Sequence, residues 1–118
     1  MEAKPNDWYI HNHMITFDEF KNVELKVATV LSAERVEKSH KLLRLHIDLG
    51  EEKRQLVAGI GTAYEPDALV GRQIIIVANL EPRELMGLES QGMLLAANAE
   101  TPVLLMPESK VPPGTSIR

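Results

Sequence analysis

Three groups of residues in this chain have types and spacings that invite a chemical interpretation. His11-Asn12-His13 sets two imidazoles on one side of an extended segment, with His40 or His46 available as a third ligand; a catalytic zinc needs three protein ligands held rigidly. The pair sits in a polar N-terminal stretch with nothing to fix it, so exposed histidines describe it better than a metal site. Gly59-Ile60-Gly61 after a strand could open a dinucleotide fingerprint, but position 64 is Tyr64 and no long helix follows to offer its amino-terminal amides to a pyrophosphate. A glycine-shaped strand exit accounts for it. Ser90 has no His or Lys nearby in sequence, and Leu88 stands where a nucleophile elbow needs glycine. The carboxylates Glu24, Glu34, Glu37, Asp48, Glu81, Glu84 and Glu89 are scattered singly, without the inward pair that acid–base chemistry uses. No catalytic residue, metal or cofactor is assigned, and His46 is read as a surface or groove residue.

What remains is a set suited to binding. Lys26, Arg44, His46, Lys53 and Arg54 fall on outward strand positions, where long cationic chains neutralise phosphates while Asn79, Ser90 and Gln91 bond to bases or sugars. Aromatic stacking platforms are missing, because Trp8, Tyr9, Phe17, Phe20 and Tyr64 lie outside the strands that would form a groove. That favours a folded RNA recognised by shape and backbone over a generic single strand. A solvated mixed-charge face explains the same residues and stays open on charge alone.

The charge balance bears on this choice. Thirteen Lys and Arg against seventeen Asp and Glu give a net charge of −4, which by itself opposes polyanion binding. The acidic excess lies in residues 1–20 and 84–118, whereas residues 21–83 are balanced and carry basic clusters at Lys38, Lys41 and Arg44 and at Lys53 and Arg54. Binding that is modest and salt-sensitive follows. Cysteine is absent, which excludes disulfides, thiol nucleophiles and thiolate metal sites together. No apolar run approaches the roughly 20 residues of a membrane span, and the polar N-terminus has no signal-peptide core. A soluble cytoplasmic protein without a membrane partner is expected.

The elements that must position these residues read mostly as strands. Residues 1–14 are expected as an extended arm and 15–118 as a single domain. Thr16-Phe17-Asp18-Glu19 has capping-box spacing for a short helix ending near Asn22. From Val23 the period becomes two, with Val23, Leu25, Val27, Thr29 and Leu31 on one face of a long strand bent near Ala28. Leu43, Leu45, Ile47 and Leu49 alternate with Arg44, His46 and Asp48 in a second strand, and Glu51-Glu52-Lys53 turns into a third, 54–60. Pro66 to Val70 is a helical turn. Residues 72–80 read as a strand covered on both faces, and 91–98 and 102–106 as the last strands, with a polar, glycine-containing turn directly before the first of these. Short strands with one small helix after the third argue for an all-β fold: an OB-fold, a five-stranded Greek-key barrel with short helices and extra C-terminal strands. An immunoglobulin-like sandwich would want more strands.

Taken in order, ITFDEFKNVELKVATV, KLLRLHIDLG, RQLVAGI, YEPDALVGRQIIIVANLEPRELMG, ESQGMLLAA and PPGTSIR resemble the tRNA-binding domain at the C-terminus of many methionyl-tRNA synthetases. Similar domains occur as free-standing tRNA-binding proteins and within endothelial monocyte-activating polypeptide. The likeness runs from about Ile15 to Arg118, and its most specific part is NLxPxxLxGxxSxGMLLAA. It implies the OB-fold, structure-specific tRNA binding without catalysis, and homodimerisation, either as a free-standing protein or alongside a synthetase catalytic chain in protein biosynthesis. Position by position it places Lys26 where the family usually has Arg, matches Lys41 before the double leucine, and matches Arg54, Asn79, Ser90, Gly92 and Met93 directly. With Arg44, Lys53, Arg83 and Gln91 these form the expected tRNA-binding set. This chain departs at Val36 to His40, where the family has a His-Pro-x-Ala-Asp run, and at Ala28 and Ala58, which replace Gly and Ser. Export chaperones share the fold, so peptide or protein binding by strand addition is the alternative.

Overall fold

The computed structural model describes residues 12–118; most of the expected arm, with Trp8, Tyr9 and His11, lies outside them. Residues 12–24 lead into the sheet. The capping box forms as the sequence implies: the Thr16 hydroxyl accepts the Glu19 amide at 3.1 Å, and a Glu19 carboxylate oxygen accepts the Thr16 amide at 3.1 Å. It starts α1 (Phe17–Phe20), a single turn that buries none of its residues.

Five antiparallel strands, β1 (Leu25–Arg35), β2 (Leu43–Asp48), β3 (Lys53–Ala58), β4 (Gln73–Val77) and β7 (Met93–Leu94), form one sheet in the order β3-β2-β1-β4-β7. Two ribbons accompany it, β5 (Arg83–Leu85) with β6 (Leu88–Ser90), and β8 (Ala96–Asn98) with β9 (Pro102–Leu104). The sheet curls until β3 meets the segment around β6 and β7, giving the OB-like barrel. The helical turn α2 (Pro66–Leu69) follows β3 and drives Leu69, fully buried, into the core beside Leu43, Leu45, Ile47, Leu56, Ile74 and Ile76.

Alternation holds without a break in β2, where Leu43, Leu45 and Ile47 are buried between half-exposed Arg44, His46 and Asp48. In β4 every residue is buried, as its continuous apolar run predicts. The long first strand departs from a single alternating face. Its pairing with β2 shifts between Val30 and Ser32, so Leu31 is an extra, exposed residue and the inward face passes from Ala28 and Val30 to Ala33. A bulge of one residue inverts a period-two pattern beyond it. Val23 lies before the strand and is exposed.

Two further expectations are corrected. The segment 79–92 contains the β5–β6 hairpin rather than a plain turn. Its two-residue loop takes φ +50° at Met86 and +80° at Gly87, the left-handed pair that matches hairpin twist. Residues 91–98 are not one strand: β7 ends at Leu94 and β8 begins at Ala96. Leu95 divides them, donating to Ile75 at 2.9 Å and accepting from Leu105 at 3.1 Å.

The C-terminal segment lies along the part of β1 that β2 does not reach. Val27 donates to Thr115 at 2.9 Å, Gly114 donates to Val27 at 2.7 Å, and Ile117 donates to Leu25 at 2.9 Å. Buried Gln73 fixes its approach, exchanging bonds with the Val111 amide (3.0 Å) and carbonyl (2.6 Å). Gly114 adopts φ +88° so close to Leu49 that a Cβ would collide with the Leu49 carbonyl.

Candidate nucleic-acid interface

Directly opposed residues in an antiparallel pair share a face, and this divides the basic set that alternation alone had placed together. Arg44 opposes Val57, His46 opposes Gln55 and Asp48 opposes Lys53, which puts Arg44, His46 and Lys53 on the outer face of β2–β3. Lys26 opposes Ile76 and Arg54 opposes Ile47, both core residues, so these two belong to the inner face at one end of the barrel. The expected single cationic side is therefore two sides.

Arg54 is engaged by the barrel itself. Its guanidinium donates to the carbonyls of Ala78 and Gln91, the latter at 3.3 Å, and pairs with Glu52 through Nε at 2.7 Å. It thereby joins β3 to the end of β4 and to the segment before β7. The Glu52 carboxyl is held below its ordinary range, chiefly by the Arg54 hydrogen bond, then by the Arg54 charge, with a weaker pull from Lys26. Arg44 is likewise matched, by Glu34 across β1–β2, with Nε at 2.7 Å. By contrast, among the described residues Lys41, Lys53 and Arg83 form no ion pair. Their charge is free for a polyanion.

Asn79, Ser90 and Gln91 are occupied by backbone. Asn79 accepts the Glu24 amide at 2.9 Å and donates to the Asn22 carbonyl at 2.6 Å, anchoring the entrance to β1 against the end of β4. Ser90 is 3% exposed. Its hydroxyl accepts the Val57 amide at 2.9 Å and donates to the Gly92 carbonyl at 3.0 Å. Gln91 uses its side-chain oxygen to accept the Gln55 amide at 3.0 Å, while its own amide donates to the Gln55 carbonyl at 2.8 Å. Between β3 and β6–β7 the barrel is thus fastened partly by side chains standing in for strand backbone. Gln55, which the sequence did not single out, completes the fastening by donating to Glu89 at 2.9 Å.

Beside this seam lies a pocket of about 230 Å³. Its walls are the exit of β3 (Val57, Ala58, Gly59, Ile60), Leu80, Glu81, Arg83 and Leu85 of the hairpin limb, Ser90 and Gly92 of the seam, and Met93 and Leu94 of β7. Lys41 borders it: its aliphatic stem crosses Gly59 so closely that a Cβ there would meet Lys41 Cε at 3.1 Å. Met93 is 47% exposed at the pocket. The structure therefore brings Arg83 and Met93 to one pocket, with Lys41 lying against Gly59 of its wall, and leaves Lys26 and Arg54 at the barrel end. No three His, Asp or Glu side chains converge into a metal-binding group among the described residues, and no helix among them is long and apolar enough to cross a membrane.

Residues 25–116 match the family described as "Putative tRNA binding domain". The chain belongs to this family. It is 57% identical over 106 residues to a methionine–tRNA ligase of Methanothrix thermoacetophila and 56% identical over 104 residues to that of Thermotoga maritima. Those alignments cover 89% and 87% of this chain but only 16% of each ligase. Among solved structures, a MetRS-related protein from Pyrococcus horikoshii superposes with a TM-score of 0.85 at 36% identity, covering 90% of this chain and 99% of that one. The chaperone CsaA of Bacillus anthracis superposes at 0.83, also 36% identical, covering 89% and 99%. The tRNA-binding domain is thus the whole of the described barrel.

Proposed function

We propose that this chain binds tRNA, with the unpaired cations Lys41, Lys53 and Arg83 meeting its phosphates. The observation that carries this is their location: Lys53 is on the outer face of β3, Lys41 lies against Gly59 just past the end of that strand, and Arg83 begins the β5–β6 hairpin. Arg44 is held in place by Glu34 and supplies a positioned guanidinium on the same face. Few phosphate contacts and a net acidic chain make the affinity modest and its salt dependence clear.

The domain has no catalytic role in this proposal. It serves as the C-terminal part of a methionyl-tRNA synthetase or as a separate protein that captures tRNA for one in the cytoplasm, and it assembles as a homodimer. Identity to the ligases well above that to the chaperone favours RNA over peptide. A gel shift with total tRNA across a salt series tests the proposal: retention at low salt that weakens steeply as salt rises is expected, and no retention at low salt overturns it. Retention of an unfolded polypeptide in place of tRNA would support the chaperone-like alternative, which the CsaA likeness motivates.

A further inference from the structure

Resting on the tRNA-binding proposal, we infer that the pocket between the exit of β3 and the β5–β6 hairpin receives one unpaired nucleobase of the RNA. Its volume of about 230 Å³ falls below the roughly 300–1,000 Å³ of pockets that enclose a drug-sized ligand. It has room for one planar ring system, with sugar and phosphate left at its open mouth. Its walls suit a base in particular. Val57, Leu80, Leu85 and Met93 offer aliphatic and thioether surface to the faces of a ring, while Arg83 adds a planar guanidinium on which a base stacks. Glu81, also at the pocket, supplies a carboxylate that accepts from an exocyclic amino group.

Charge selects the occupant. An apolar peptide side chain would use the walls but has no use for Lys41 and Arg83, whose charges are unmatched among the described residues. A base carried on a phosphodiester strand uses both, stacking on the Arg83 guanidinium while a neighbouring phosphate lies over Lys41. The chain lacks an aromatic platform on these strands, and a walled pocket performs the same task of holding an unstacked base. RNA-specific recognition relies on such splayed bases from loops and ends.

The test uses the intact chain and neutral nucleosides, so that phosphate attraction plays no part. Adenosine and cytidine are titrated while the amide and methyl resonances of Ala58, Gly59, Leu85 and Met93 are followed, with ribose 5-phosphate as the sugar–phosphate control and N-acetyl-leucine amide as the apolar one. Saturable shifts with a nucleoside and none with ribose 5-phosphate are expected, weakened at least fivefold in Met93→Ala, an exposed position where truncation spares the core. A second variant, Leu85→Ala, gives the same readout from the opposite wall. Shifts with N-acetyl-leucine amide alone, or none with either nucleoside, overturn the inference. Retention of tRNA at low salt is measured on the same preparations. No nucleoside shifts with tRNA retained removes the pocket and leaves the tRNA proposal standing, whereas loss of tRNA retention removes both.

Discussion

The hydroxyl of Ser90 stands in for a backbone carbonyl at Val57, accepting that buried amide at 2.9 Å across the closing seam of the barrel. Ser90→Ala leaves the Val57 N–H without a partner, and a buried unsatisfied donor costs about 1–3 kcal/mol. A melting temperature lower by several degrees is expected by calorimetry. Binding of tRNA measured well below that temperature should be close to that of the native chain, and a loss there with no change in melting would show that the hydroxyl contacts RNA directly.

Arg54 and Lys41 should separate stability from binding. Arg54→Ala removes two bonds to backbone carbonyls and the pair with Glu52, so its melting temperature should fall. The double change Lys41→Ala with Arg83→Ala removes two exposed cations without breaking an ion pair and should leave melting nearly unchanged. Its tRNA affinity should fall, with the slope of log K against log salt shallower by up to about two. An unaltered slope would place the interface elsewhere.

Releasing a matched arginine gives the opposite sign. Glu34→Gln removes the partner of Arg44 and one negative charge from the outer face, at a cost to stability of at most about 1 kcal/mol for so exposed a pair. Tighter tRNA binding with a steeper salt slope is expected. Weaker binding would mean that the Glu34 carboxylate holds Arg44 in its binding pose.

The pH dependence follows from Glu52. Because its folded-state carboxyl is held below the ordinary range by Arg54, the stabilisation is present above that ordinary range and is lost as pH falls through the depressed one. Melting curves of the native chain and of Glu52→Gln should differ at neutral pH and converge under acid conditions. A difference independent of pH would assign the effect to packing instead.

The C-terminal segment supplies a conformational test. Gly114 sits at φ +88° against the Leu49 carbonyl, a backbone state and a clearance that a methyl group denies. In Gly114→Ala, limited proteolysis should cut after residue 110 at protease levels that leave the native chain intact. Replacing Met86, at φ +50° in the hairpin loop, with Asn or Gly should act oppositely and raise the melting temperature by relieving a left-handed conformation.

The barrel was legible where local pattern and tertiary demand coincide. Leu43, Leu45 and Ile47 alternate because one face of β2 is buried; Ile74 to Val77 form an unbroken apolar run because both faces of β4 are covered. Thr16 and Glu19 bond to one another, through backbone and side chain, across three residues, and so could be found from spacing alone. The β5–β6 hairpin escaped because Met86-Gly87 is not the Asn-Gly or Asp-Gly pair that announces a type I′ loop. The inversion at Leu31 depends on how β1 meets β2 and leaves no local sign. The site was less legible than the fold. Ser90 and Gln91 sit in a polar, glycine-containing stretch that reads as exposed, yet their partners are 33 and 36 residues away in β3. Arg54 reads as a surface cation because its acceptors, Ala78 and Gln91, are also remote. Lys41 and Arg83 belong to one expected set, but no local pattern brings Arg83 to the pocket at the exit of β3; that is a product of the curl of the sheet.

A seam of backbone bonds tolerates almost any sequence, whereas one fastened by a serine hydroxyl and a glutamine amide demands those residue types. The Ser90-Gln91 stretch is thereby a recognisable fingerprint of closure. Two barrels shut by the same clasp can hold different molecules. A binding defect from a change at position 90 or 91 consequently has two origins that look alike in a single assay, an altered rim or a barrel that has come undone, and only a folding measurement made beside it tells them apart.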